Sequence, residues 1–211
     1  MKRATQGLTI VAGGFLLAAC ASTTFNSTWK APDAGPIDYT GAEVAALVIS
    51  KEEGTRRGAE ELLARELTNR GAVGIPAYTL VPLSDVKDKD KAKAALEKAG
   101  IDGVVALRVV ARDKEISSSP SMSMGYWGAP YYGSFWGPGY WGYGWGAVYD
   151  PGYLRTDTIV SVETLVYDLK QDKLLWAGMS ETTNPKDAAS FIKELAGKAA
   201  YEMRKQGLIK R

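Results

Sequence analysis

One stretch of this chain suits neither helix nor sheet, and it divides the sequence in two. Gly125 to Tyr153 holds twelve of the chain's 21 aromatic residues, with glycines between them and Pro130, Pro138 and Pro151 as breakers. Its aromatics follow neither a helical period nor strict alternation. Glycine and proline at this density favour irregular backbone. Between Arg112 and Asp150 the only charges are Asp113, Lys114 and Glu115. Residues 117–153 therefore read as an insertion projecting from one end of whatever the flanks build. Loops of this length are uncommon unless they function or are disordered, and a large uncharged aromatic surface makes a poor solvent face.

The flanks are regular. Val44 to Ile49 is a short apolar run that suits a buried strand. Thr55 can cap a helix running to about Arg70, with Gly71 as its stop. Ala59, Leu62, Leu63, Glu66 and Leu67 give that helix an inward stripe, which leaves Arg56, Arg57, Arg65 and Arg70 for its outer face. Ile75 to Val81 reads as a weaker strand ended by Pro82. Ser84 or Asp88 can open a second helix closed by Gly100, and Val104 to Ala111, extending toward Ile116, is a strong strand. Beyond the insertion, Thr158 to Asp168 alternates: Val160, Val162, Thr164 and Val166 face one way, and Ile159, Ser161, Glu163, Leu165 and Tyr167 the other. A turn at Lys170-Gln171-Asp172 leads to a strand over Leu174 to Met179. Asn184-Pro185 can cap a last helix that buries Ala188, Phe191, Ile192, Leu195, Ala199 and Met203 and ends at Gly207. The order β-α-β-α-β-β-β-α predicts an α/β domain over residues 43–116 and 154–211. Its mixed sheet has about five strands, the first three parallel and the last three an antiparallel meander, with helices packed on it.

The beginning of the chain carries a second signal. Lys2 and Arg3 precede an apolar run, Leu8 to Leu17, interrupted only by Thr9, Gly13 and Gly14, and Leu17-Ala18-Ala19 leads into Cys20, the only cysteine. The run is short for a bilayer span and fits a signal-peptide core. These residues resemble the lipobox of bacterial lipoproteins. That resemblance implies removal of residues 1–19, acylation of Cys20, and anchoring through two or three acyl chains. Ala21 and Ser22 follow where an aspartate would retain an enterobacterial lipoprotein in the inner membrane, so the resemblance implies the periplasmic face of the outer membrane. Residues 20–42, small and polar with Pro32, Gly35 and Pro36 as breakers, read as the lipidated cysteine and its tether.

Composition narrows the chemistry. There is no histidine, which removes the commonest neutral-pH base and metal ligand and with it the Ser-His-Asp, Cys-His and zinc-hydrolase constellations. No phosphate-binding glycine loop, dinucleotide fingerprint or nucleophile elbow is present, and no cofactor is expected. Without residues 1–19 the chain has 24 basic and 24 acidic residues, intermixed as in Lys87-Asp88-Lys89-Asp90-Lys91, which gives nucleic acid nothing to bind. Met122 and Met124 are a weak Cu(I) pattern, better read as linker. Glu163, Asp157, Asp168 and Glu181 could supply a carboxylate pair, but solvated strand faces account for them.

The lipobox followed by this element order resembles periplasmic lipoproteins built on the amino-terminal domain of TolB, a kind of domain shared by the lipoprotein activator of penicillin-binding proteins and the curli secretion lipoprotein. Leu174-Leu175-Trp176-Ala177-Gly178 and Ser180-Glu181-Thr182 resemble phrases of uncharacterised bacterial lipoproteins. The resemblance covers roughly residues 43–209 without the insertion. It carries over no catalytic residue and implies an adaptor or assembly role in the envelope.

The expectation is thus a non-enzymatic outer-membrane lipoprotein with three contacts: the bilayer through Cys20, an envelope protein partner, and, as an alternative, peptidoglycan. Trp127, Tyr131, Tyr132, Trp136, Tyr140, Trp141, Tyr143 and Trp145 are the candidate interaction residues. Their segment has four readings: a disordered or self-packed loop over a sheet edge, a protein-interaction surface, a glycan contact, or a lipid-interface contact. A carboxylate-dependent glycan hydrolase using Glu163 is the remote alternative.

Overall fold

The computed structural model describes residues 22–86, 88–114 and 158–209. Six strands form one mixed sheet in the order β1-β6-β5-β4-β2-β3. They are β1 (Ser22–Lys30), β2 (Glu43–Ile49), β3 (Val73–Pro76), β4 (Gly103–Lys114), β5 (Thr158–Asp168) and β6 (Lys173–Thr183). The helices are α1 (Glu53–Thr68), α2 (Lys89–Lys98) and α3 (Ala188–Lys205). β2 pairs in parallel with β3 and β4, while β4-β5, β5-β6 and β6-β1 are antiparallel. The mixed α/β architecture is the one expected. No helix among the described residues is long and apolar enough to cross a membrane.

The two sheet faces follow from the period of two along each strand. On β2, Ala45, Leu47 and Ile49 face Val81, Val86, Ala92 and Leu96, so α2 and the segment before it cover this side. Ala46 and Val48 face Ala59 and Leu63 of α1 and Phe191, Ile192 and Leu195 of α3 on the other. A right-handed crossover returning over β2 must change face, which puts α1 and α2 on opposite sides. Gly74 lets α1 sit down on β3: a methyl group there would lie 2.0 Å from the Ala64 carbonyl oxygen.

Four local expectations are corrected. The segment read as a tether contains a sixth strand, β1, laddered along β6 from Ser22↔Thr183 to Lys30↔Trp176. A register shift between Phe25 and Ser27 breaks its alternation, so its period was invisible in sequence. The bonds that hold it are long-range. The Thr23 and Thr182 hydroxyls lie 2.8 Å apart, and Phe25 packs against Trp176 with ring centroids 5.6 Å apart. Second, β3 stops at Pro76 and a 3-10 turn follows over Ala77–Thr79, because the Tyr78 N–H donates to Glu60 Oε2 (2.5 Å). Third, α1 begins at Glu53, and Thr55 lies inside it with its hydroxyl donating to Glu52 (3.1 Å). Fourth, α3 is capped by Asp187, which accepts from the Ser190 N–H (2.9 Å). Asn184 has a φ of 50° and its side chain accepts from the Thr158 N–H (2.8 Å), so it clasps the start of β5.

Candidate functional site

Cys20 and the aromatic positions Trp127, Tyr131, Tyr132, Trp136, Tyr140, Trp141, Tyr143 and Trp145 lie outside the described residues, as do Met122, Met124 and Asp157. Within them, three charged residues, Arg56, Glu163 and Asp168, depart from expectation. Arg56, expected on the outer face of α1, is fully buried and donates from Nε to Glu60 Oε1 at 2.9 Å. The i,i+4 spacing puts both on one face. Their partners explain the burial. β3 pairs only with Glu43 to Ala46 of β2, so the strand edge beyond needs other partners. Glu60 accepts the Val48 N–H (3.1 Å) and the Tyr78 N–H, and Arg56 Nη2 donates to the Val81 carbonyl (2.8 Å). Burial pushes the Glu60 carboxyl above its ordinary pKa, with Arg56 pulling the other way. Arg57 and Arg65 are exposed, as expected, whereas Arg70, also exposed, reaches toward α3.

Glu163, expected on a solvated strand face, is 3% exposed. Its Oε2 accepts from Arg108 Nε (2.9 Å) and Nη2 (2.8 Å) across the β4-β5 register pair. Asp168 is also buried and accepts from the Gln171 backbone and side chain. Glu163 and Asp168 are thus tied to Arg108 and Gln171, not to each other, and Glu181 is half-buried on β6. Among the described residues no group of three or more Asp, Glu, Cys or His could hold a metal ion.

The feature that sequence reasoning missed is hollow. Between α1, α3 and the sheet lies a cavity of about 550 Å³. Its floor is Val44 of β2, Val105 and Leu107 of β4, and Thr164 and Val166 of β5. Leu63 and Leu67 of α1 form one wall. The other is α3, which offers small Ala196, Ala199 and Ala200 and leaves the space unfilled. The segment 37–40 and Ile209 close one end, stitched together by the Ile37 N–H donating to the Leu208 carbonyl (2.6 Å). Asp38, Arg70 and Arg204 bring the charge.

Two hydroxyls here lack hydrogen-bond partners. Thr164, 2% exposed, shares a strand face with Val160, Val162 and Val166, and its Oγ1 is unpaired. Tyr39 Oη is also buried and unpaired. Burial raises the pKa of Tyr39 well above the usual phenol range, and the nearby charges of Asp168 and Asp102 raise it further, so the group stays a neutral donor. Buried hydroxyls are normally paired. A lone threonine in a valine-lined strand face was the one sequence signal available. The remaining lining residues come from distant segments and carry no common motif.

No protein-family model matches the chain, and comparison with curated proteins likewise finds no match. Among solved structures, the chain is similar to the PelC dodecamer from Paraburkholderia phytofirmans at 12% identity and a TM-score of 0.43, over 85% of this chain and 94% of that one. A point variant of the same dodecamer gives 0.45 over the same shares. The chain is also similar to lipoprotein GNA1162 from Neisseria meningitidis, at 13% identity and a TM-score of 0.42, over 78% of this chain and 99% of that one.

Proposed function

We propose that this protein is a non-enzymatic envelope lipoprotein, held by acylated Cys20 on the periplasmic face of the outer membrane, where it works as an adaptor or assembly factor. One observation carries the reading. β1 begins at Ser22, two positions after Cys20, and stays laddered on β6 to Lys30. Acyl chains on Cys20 would then hold a sheet edge close to the bilayer, with little freedom to swing. Such an anchor fixes the domain's location and raises its effective concentration toward membrane-bound partners. The aromatic segment 117–153 joins β4 to β5 and supplies contact area for an envelope protein.

Two experiments test this. Cys20→Ser should release the protein from the membrane fraction, and an unmodified sulfur by mass spectrometry in the parent would overturn the anchor. Deleting residues 120–153 should leave a folded, membrane-bound domain that loses its crosslinked partner. Unchanged crosslinking after the deletion would overturn the role of the segment.

A further inference from the structure

We propose that the cavity under α1 and α3 is a binding site for an aliphatic monocarboxylic acid, with its carboxylate at the arginine-bearing mouth and its chain over the valine and leucine floor. The inference is independent of whether Cys20 is acylated. The volume of about 550 Å³ falls within the roughly 300–1,000 Å³ range of small-molecule sites. The side chains around it are chiefly branched aliphatics and alanines, with Tyr39 the one aromatic. A flexible hydrocarbon chain fits such walls better than a flat ring does.

The charged end follows from the mouth. Arg70 is bridged through Nη1 to Glu66 at 2.5 Å. Its Nη2 lies toward α3, 3.7 Å from where a methyl group on Gly197 would sit. Arg204 has no ion-pair partner among the described residues. Asp38 also lines the site and Glu66 already pairs Arg70, so Arg204 is the one cation of the lining without an ion pair among the described residues, which suits a monoanion better than a phosphate. The inner end follows from Thr164. Its buried hydroxyl has no partner, and an unpaired buried polar group favours a ligand that supplies one. The geometry therefore selects acids bearing a second oxygen along the chain, that is, hydroxylated fatty acids over plain ones.

The test uses the full chain in phosphatidylcholine vesicles with a diazirine-bearing palmitate as photoprobe. Adducts should map to β5 and the second half of α3. Excess palmitate should displace the probe, and hexadecanol, which lacks the charge, should compete about tenfold less well. Arg70→Gln with Arg204→Gln should cut labelling by about tenfold, since charged hydrogen bonds are the strong ones. Ala196→Phe, which fills the cavity, should abolish it. Among palmitates hydroxylated at successive positions, the best should compete up to about tenfold better than palmitate, and Thr164→Val should erase that advantage. Adducts elsewhere on the chain, labelling indifferent to Ala196→Phe, or equal competition by hexadecanol would each overturn the site. A panel with no preferred hydroxylated acid, or a preference that survives Thr164→Val, would overturn the role given to Thr164.

Discussion

At the sheet edge beyond β3, buried polar groups meet partners: Glu60 takes two backbone N–H groups and Arg56, and Arg56 reaches the Val81 carbonyl. Under α1 and α3, a short way across the same sheet, Thr164 keeps a buried hydroxyl unpaired beside a cavity of about 550 Å³. In the first region Arg56 Nη1 and Glu53 Oε2 make no hydrogen bond but lie 3.8 Å apart as an ion pair, whereas Thr164 Oγ1 in the second has no partner at all. Burial of a polar residue therefore says little by itself. What separates a structural residue from a candidate binding residue is whether the fold supplies its partners.

The largest effect should come from breaking the first region. Glu60→Ala leaves a buried guanidinium and two backbone N–H groups without their acceptor. Removing one member of a buried ion pair costs about 3–5 kcal/mol, and urea unfolding should show it. Arg56→Met combined with Glu60→Leu should be less damaging than Glu60→Ala alone, because no buried charge is stranded. A loss below about 1 kcal/mol, the level of an exposed pair, would mean that the edge is not held as described.

Much of this contrast could not be read along the chain. Strand β5 was found to the residue, and Gly71, Gly100 and Gly207 all have positive φ where they were expected to stop helices, because alternation and helix stops are local. Arg56 was misplaced because composition put it outside, whereas its burial depends on Val48, Tyr78 and Val81, which reach it only through the fold. β1 was missed because its partner β6 lies roughly 150 residues away in sequence and a bulge hides its period. Asn184 outranked Asp187 as a cap because the proline after it imitates a helix start. The cavity is an absence of side chains between α1 and α3, and no single segment records it.

The next prediction sharpens the comparison by adding volume to each region. A methyl group at Gly74 would meet the Ala64 carbonyl oxygen at 2.0 Å, so Gly74→Ala should cost about 1–3 kcal/mol through overpacking. Ala199, also buried, borders the cavity. Ala199→Leu should therefore cost less than Gly74→Ala and can be stabilising, since leucine is nearly as good a helix former as alanine. Thermal unfolding of the two variants side by side checks the order, and a reversed order would mean that the space under α3 is not open to side chains. Thr164→Val should be smaller still and of opposite sign. Deleting an unpaired buried hydroxyl at nearly constant volume should stabilise the ligand-free protein by about 1 kcal/mol. A loss instead would show that the hydroxyl has a partner in solution.

The smallest effect lies outside both regions and serves as their control. Asp88 and Asp187 cap α2 and α3 by accepting from the Lys91 and Ser190 N–H groups. Those backbone bonds hold both carboxyls below their ordinary pKa. A lowered folded-state pKa means that the unfolded chain binds the proton more readily. The caps' contribution is therefore complete above the unfolded value, near about pH 4, and disappears as pH falls through the lower folded values. Asp102, lowered mainly by its bond from Lys170, adds to the same trend. Glu60 acts in the opposite sense, because its raised value makes the folded state the better proton acceptor. Unfolding midpoints followed from about pH 6 to about pH 2 should fall for the parent. The fall should be shallower for Asp88→Asn with Asp187→Asn, which keep a capping oxygen but lose the titrating charge. An equally steep fall in that double variant would assign the acid sensitivity to other lowered carboxyls, Asp102 with its bond from Lys170 first among them, and not to the caps.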